Sequence, residues 1–369
     1  MADTFSPQDH ALMAAALRLA SANVFLTMPN PSVGCVIVKD GQIVGQGATQ
    51  PAGQDHAEVV ALKAAGQNAK GATVYVTLEP CCTHGRTGPC TEALIAAEVA
   101  EVVVAMADPN PSVDGHGVAR LAEAGITVRR GLMAAAAQRV VEGFHSRMTR
   151  GRPFVTLKTA ASIDGATAMR SGESQWITSA AARRDVQRLR SEHAAIMTGI
   201  GTVLADDPSM TVRDGRFSRR EAQPWRVVVD SQFRTPSHAK IIGDDDRCLV
   251  FGLEASTVPA SLSDAGAHCL TVASRGDVVD LNEVMTQLAA YEVNSVLLEC
   301  GPMLSGAMLN AGLVDRMVHY VAPILLGSET LRLIDTKAWS RLADGMPLEI
   351  EDLRRVGDDM RLTLIPTRR

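Results

Sequence analysis

Aromatic residues are scarce in this chain: three Trp, three Tyr and seven Phe make up 4% of its 369 residues. That argues against a sandwich built on large inward-facing rings, and the abundant Ala and Gly point to closely packed α/β layers. No apolar run approaches the roughly 20 residues that span a bilayer. The opening residues, MADTFSPQDH, lack the basic start and apolar core of a secretory signal. Cysteines number seven, an odd and unevenly scattered total that excludes a disulfide framework and fits a reducing cytoplasm. There is no basic excess either. With 36 Lys and Arg against 41 Asp and Glu, a net charge of −5 excludes a broad nucleic-acid surface.

What is present is a soluble, globular composition, 46% hydrophobic and 21% charged, at a length that suits two domains. In the first half strand and helix signals alternate. SPQDHALMAAALRLA carries a capping Ser and a Pro at the first helical position. VGCVIV and IVGQGA flank a hairpin turn at Asp40-Gly41. HAEVVALKAAG, CTEALIAAEV, HGVARLAEAG and AAAAQRVVEGFHSRM read as helices; ATVYVTL, VVVAM and ITVRRG read as strands. The basic run TRGRP at 149–153 marks a boundary between domains at 1–148 and 152–369. Beyond it FVTLKTAAS, AAIMTG, WRVVVD, RCLVFG, NSVLLEC, RMVHYVAP and RLTLIP read as strands of a second α/β domain. The pentapeptide PNPSV occurs at 29–33 and at 109–113 beside apolar strands, either as turn chemistry alone or as two turns at one end of a sheet.

Three cysteines and a histidine fall within LEPCCTHGRTGPC, residues 78–90. Catalytic zinc takes three protein ligands and keeps one position open. His56 opens a predicted helix with Glu58 two residues on; Cys81 follows a strand; Cys90 opens the next helix, where the dipole favours a thiolate. His56, Cys81 and Cys90 thus form a candidate triad for one zinc ion, with Glu58 beside the open position. Cys82 points away from its neighbour. His84 is either a fourth ligand, which would make the zinc structural, or, with Arg86, a substrate contact. H-x-E followed by P-C is the signature of zinc nucleobase deaminases, although the nine-residue step from Cys81 to Cys90 departs from their C-x-x-C.

That departure narrows the resemblance. P-C-x-x-x-G-R-T-x-P-C after H-A-E and PNPSVGCVIV, continuing through DPNPSVDGHG, LKTAASIDG, SGESQWITS, TVLADDP and LLECGP, resembles the bifunctional riboflavin-biosynthesis deaminase–reductase family over nearly the whole chain. Position 83, here Thr, often carries a His in that family. The resemblance implies an α/β fold with an N-terminal cytidine-deaminase-like three-layer domain and a C-terminal dihydrofolate-reductase-like domain. It also implies zinc and NADPH as cofactors, a phosphorylated pyrimidine as substrate, and a homodimer or larger assembly. Glu58 becomes the proton shuttle of the deamination, with Asn30, His84 and Arg86 as substrate contacts. NADPH contacts are carried over to Ala160, Trp176, Thr202, Asp206 and Ser231. The strand–turn–helix stretch adds Gly301, Pro302, Met303, Leu304, Ser305, Gly306 and Ala307, whose amides would cradle a cofactor phosphate. Substrate contacts fall on Ser174, Arg190, Met210, Arg213 and Glu299, the arginines suiting phosphate through forked hydrogen bonds. Lys158, Asp206 and Glu299 are candidates for the proton that accompanies ribose ring opening. No G-x-G-x-x-G follows the second-half strands, so a Rossmann site is not expected. A nucleoside or RNA deaminase would need a basic, aromatic-lined surface, and a purely structural zinc protein would need a fourth firm ligand.

Overall fold

A capping box starts the first helix: the Ser6 hydroxyl accepts from the Asp9 amide, the Asp9 carboxylate accepts from the Ser6 amide, and Pro7 occupies the first turn. The computed structural model describes residues 4–85, 87–218 and 222–367. The chain divides into two units, Met1–Gly151 and Arg152–Arg369. The first contains α1 (Pro7–Thr27), β1 (Gly34–Lys39), β2 (Gln42–Ala48), α2 (Ala57–Ala65), β3 (Thr73–Val76), α3 (Cys90–Ala96), β4 (Glu101–Val104), α4 (His116–Glu123), β5 (Thr127–Arg130), α5 (Ala134–Val140) and α6 (Glu142–Arg150).

Its sheet runs β2-β1-β3-β4-β5, with β1 antiparallel to both neighbours and β3, β4 and β5 parallel. Asp40 and Gly41 both take positive φ, 51° and 77°, the geometry that a two-residue hairpin demands. Alternation splits the sheet between two cores. Cys35, Ile37, Val74, Val76, Val102 and Val104 pack with Ala57, Ala61 and Leu94 on one face. Val36, Val38, Tyr75 and Val103 pack with Met13, Ala16 and Leu17 on the other. The result is three layers. Because β1 is antiparallel to β3, the first PNPSV turn precedes β1 at the end where β3 and β4 finish, and the second follows β4; both lie at one end of the sheet. The stretch expected as one helix at 134–148 is two, broken at Val141 (φ −108°), where adjacent valines and a glycine weaken helical preference.

The second unit contains β6 (Phe154–Ser162), β7 (Ala166–Met169), α7 (Ala180–Glu192), β8 (Ala195–Gly199), α8 (Ile200–Asp206), β9 (Trp225–Val229), β10 (Cys248–Leu253), α9 (Ala260–Asp264), β11 (Ala267–Val272), β12 (Ser274–Arg275), β13 (Val278–Val279), α10 (Leu281–Ala290), β14 (Ser295–Leu298), α11 (Pro302–Asn310), β15 (Arg316–Ala322), β16 (Thr330–Arg332), β17 (Leu348–Val356) and β18 (Asp359–Pro366). Nine strands form one sheet in the order β11-β10-β9-β8-β14-β6-β15-β18-β17. The first seven are parallel; β18 and β17 close one side antiparallel. The chain moves outward from β8 to β11, then returns to insert β14 between β8 and β6. The carboxyl ends of β8, β14 and β6 therefore flank a crossover, the place where open α/β sheets form ligand crevices.

Candidate active sites

Glycine sets how closely α2 approaches its sheet. A Cβ at Gly47 would lie 2.3 Å from the Ala57 carbonyl, so β2 tolerates only hydrogen there. His56, the residue before α2, is brought to the loop after β3. Its Nδ1 lies 3.3 Å from Cys90 Sγ and 3.5 Å from Cys81 Sγ. The three donor atoms fall within 4.8 Å of one another and could hold a metal ion. Zinc bonds of about 2.0–2.1 Å to nitrogen and 2.3 Å to sulfur give a tetrahedral N–S edge of about 3.6 Å, so the donor set fits zinc. Thr87 Oγ1 lies 3.3 Å from His56 Nε2 and fixes the ring's other nitrogen. The Cys90 amide, at the start of α3, donates to Cys81 Sγ at 3.4 Å. Hydrogen bonding from Cys90 is the main influence on Cys81; with help from His56 it outweighs burial and lowers that thiol. A lowered thiol favours the thiolate that a metal ligand requires.

Glu58 lies in the first turn of α2 and is buried. Burial, and next the nearby Cys81 sulfur, push its carboxyl up to about 7; a cation held by the triad would draw it down again. The rest of the cysteine loop sorts cleanly. Cys82 is half-buried outside the donor set, and exposed His84 lies 3.9 Å from Glu92. Asn30 is half-buried in the turn before β1, its amide bonded to the Thr27 carbonyl. Arg86 lies outside the described residues.

Sequence reasoning missed the support beneath this loop. Glu79 is buried, and its carboxylate accepts from the amides of Gly115 and Val118 at 3.1 Å and of Asp108 at 3.4 Å. It ties the residues just before Cys81 to the start of α4. A Cβ at Gly117 would sit 2.1 Å from the Pro80 carbonyl, so α4 rests directly on the metal loop. Only the position of Glu79, two residues before Cys81, hinted at this; its partners lie 29–39 residues away.

The second unit gathers charge instead of sulfur. Glu299 follows β14, Lys158 lies on β6 and Arg190 on α7. Arg190 Nε and Nη2 grip the Glu299 carboxylate at 2.7 and 3.1 Å, Nη1 donates to the Thr211 carbonyl at 3.0 Å, and Nη2 also faces Met210 Sδ at 3.7 Å. The fork expected to grip a phosphate is thus closed on Glu299, and Arg190 is buried rather than on a solvated helix face. Burial raises the Glu299 carboxyl, but Arg190 and then Lys158 hold it below its usual range. Burial likewise lowers Lys158, partly offset by Glu299.

Around the crossover, Thr202 lies near Gly301, whose added Cβ would be 4.0 Å from the Thr202 hydroxyl oxygen. Ala160 lies on β6, and Ser231 follows β9, with its carbonyl accepting from Ser256 Oγ at 2.9 Å. Asp206 is exposed at the end of α8. Trp176 is exposed beneath the Arg183 guanidinium at 4.5 Å, with half-buried Ser174 two residues before it. Arg213 is exposed, and its amide donates to Gln187 at 2.7 Å. The expected amide cradle is shorter than the stretch from Gly301 to Ala307. Pro302 has no amide hydrogen, Ser305 already donates to the Gly301 carbonyl, and Gly306 and Ala307 lie deeper in the helix. Gly306 also packs on the Asp335 backbone, where a Cβ would come within 1.8 Å of the carbonyl. That leaves the amides of Gly301, Met303 and Leu304 as those that a phosphate at the start of α11 could meet.

Residues 153–362 match the RibD C-terminal domain, and residues 6–106 match the cytidine and deoxycytidylate deaminase zinc-binding region. Among known proteins, the riboflavin biosynthesis protein RibD of Escherichia coli K12 is 48% identical, covering 97% of this chain and 99% of its own. A solved RibD structure from Acinetobacter baumannii superposes with a TM-score of 0.90 at 44% identity over 98% of this chain and 99% of that one. A Thermotoga maritima structure, described as a diaminohydroxyphosphoribosylaminopyrimidine deaminase/5-amino-6-(5-phosphoribosylamino)uracil reductase, gives 0.85 at 28% identity, covering 98% of this chain and 99% of its own. The fold is accordingly a cytidine-deaminase-like unit followed by a dihydrofolate-reductase-like one. No helix among the described residues is long and apolar enough to cross a membrane. With a zinc-binding deaminase region and a reductase domain in one polypeptide, the chain belongs to the RibD family of bifunctional riboflavin-biosynthesis enzymes.

Proposed function

We propose that residues 1–148 hydrolytically deaminate 2,5-diamino-6-(5-phosphoribosylamino)pyrimidin-4(3H)-one. Residues 152–369 then reduce the ribosyl group of the resulting 5-amino-6-(5-phosphoribosylamino)uracil to ribityl. The observation that carries the first half is a His/Cys/Cys donor set beside a buried glutamate. Zinc, when held by His56, Cys81 and Cys90, supplies Lewis-acid activation of water at neutral pH. Glu58 takes the proton of the attacking water, passes it to the ring nitrogen and assists departure of ammonia. Asn30, His84 and Arg86 orient the base or its phosphate.

In the second unit NADPH, when bound at Gly301, Met303 and Leu304 with Thr202, Ser231, Ala160 and Trp176, supplies the hydride for C1′ of the opened ribose. Arg190 holds the Glu299 carboxylate in place and ionised. Glu299 and Lys158 handle the proton of ring opening, with exposed Asp206 the weaker candidate for that role. Arg213, exposed two residues beyond the Thr211 carbonyl that Arg190 grips, takes the phosphate beside Ser174 and Met210. The chain works in the cytoplasm as a homodimer or larger assembly.

The test mixes zinc-loaded protein with the diaminopyrimidinone and follows ammonia and NADPH together. Ammonia without NADPH, then NADPH oxidation once it is added, is the expected result. Ammonia alone would remove the reductase half, and neither signal from folded, zinc-loaded protein would remove the assignment.

A further inference from the structure

Residues 170–179 join β7 to α7 without helix or strand, and Trp176 lies near their far end. It is 68% exposed, in a chain with only three tryptophans. Burial therefore does little to hold this ring. The segment is pinned at its two ends instead. At the start, the Arg170 amide donates to the Glu329 carbonyl at 3.0 Å, and the Met169 amide to the Glu173 carbonyl at 2.9 Å. At the end, buried Asp359 accepts from the Ser179 amide at 2.9 Å and from its hydroxyl at 2.6 Å. A Cβ at Gly357 would fall 2.6 Å from that of Ala181, so the turn before β18 rests on the first turn of α7.

Between these pins one side chain reaches back. Arg183 is one turn into α7, its amide bonded to the Ser179 carbonyl at 3.1 Å. Its Nη1 donates to the Thr178 carbonyl at 2.6 Å, and its Cζ lies 4.5 Å from the centroid of the Trp176 ring. Among the described residues no other hydrogen bond reaches 174–178, and no carboxylate pairs with Arg183. Its neighbours on the same helix spend their charge differently: Arg188 on Asp185 and Glu192, Arg190 on Glu299.

A planar guanidinium stacks on an aromatic face while its fork still donates, a combination that lysine lacks. Arg183 does both at once, so one residue fixes the backbone beside Trp176 and the indole itself. Order imposed before a ligand arrives is order that binding no longer has to supply.

We propose that Arg183 is a positioning residue of the reductase, which holds Trp176 ready for NADPH and acts on cofactor affinity through that ring alone. This rests on the reading of Trp176 as an NADPH contact. The experiment titrates NADPH calorimetrically into full-length, zinc-loaded protein without pyrimidine, for wild type, R183A, W176A and R183A/W176A, and records each unfolding midpoint. R183A should raise the Kd about fivefold with the midpoint of the second unit unchanged. W176A should raise it about tenfold. The double variant should match W176A, because Arg183 then has no ring to hold. In turnover, R183A should raise KM for NADPH and leave kcat as it is.

Effects that add in the double variant would mean that Arg183 acts on the cofactor by another route, and would overturn the proposal while the reading of Trp176 stands. So would R183A binding NADPH like wild type beside a weakened W176A. A lower unfolding midpoint in R183A, in step with its lost affinity, would make Arg183 a structural residue and overturn the proposal too. W176A binding like wild type would remove the reading of Trp176 and the proposal with it.

Discussion

The two units place their candidate groups at the carboxyl ends of parallel strands, with opposite materials. In the first, the candidate groups are two sulfurs and an imidazole nitrogen, the nitrogen 3.3 and 3.5 Å from the sulfurs, with one buried carboxyl beside them. In the second they are formal charges, an arginine closed on a glutamate with a lysine nearby. Soft ligands within 4.8 Å need a rigid loop, and Glu79 provides it by collecting three amides. The ion cluster instead fixes itself: each charge is the partner that justifies burying the others. Damage to the first site should therefore register as lost chemistry, and damage to the second as lost fold.

The largest effect should come from Glu58→Gln, which keeps the shape but cannot carry the proton. Ammonia release should fall by about 10²–10⁴-fold, with zinc content by metal analysis and NADPH-dependent reduction both unchanged. Glu299→Ala inverts that pattern. Leaving Arg190 and Lys158 buried without their carboxylate should cost about 3–5 kcal/mol, read as a lower unfolding midpoint of the second unit, while ammonia release persists. Gly117→Ala sharpens the role of the support. Its Cβ meets the Pro80 carbonyl, and overpacking of about 1–3 kcal/mol should appear as weaker zinc retention against a chelator, with the reductase untouched.

The smallest effect is a pH dependence confined to the first unit. Burial raises the Asp9 carboxyl, but hydrogen bonds from Arg129, Tyr75 and Ser6 outweigh it and hold it far below its ordinary value. A depressed carboxyl contributes stability above its unfolded value, about 3.9, and loses it as pH falls toward the folded value. The margin of wild type over Asp9→Asn should be constant near neutrality and shrink below about pH 4, measured by denaturant titration. A margin that grows on acidification would contradict the ion-pair account.

How much of this was legible depended on range in sequence. The triad could be read because its members sit at element boundaries, and a histidine before a helix or a cysteine opening one is visible locally. The capping box at Ser6 and the Asp40-Gly41 hairpin were legible for the same reason. Glu79 was not, since its meaning lies in a helix start more than thirty residues away. Arg190 looked like a phosphate clamp because nothing in the sequence brings Glu299 to it. The cradle read from Gly301 to Ala307 was too long: a helix leaves only its first amides unpaired, and Ser305 already belongs to the interior. Sequence spacing picked out the three donors that the fold gathers, but not which polar atoms the fold itself consumes.

The most direct test of two separate chemistries in one chain is to assay Glu58→Gln for both. Ammonia release is followed from the diaminopyrimidinone and NADPH oxidation from the already deaminated uracil compound, on zinc-loaded protein. The account predicts that the first nearly vanishes while the second equals wild type. Ammonia release at the wild-type rate, or loss of both activities in a folded, zinc-replete protein, would contradict it.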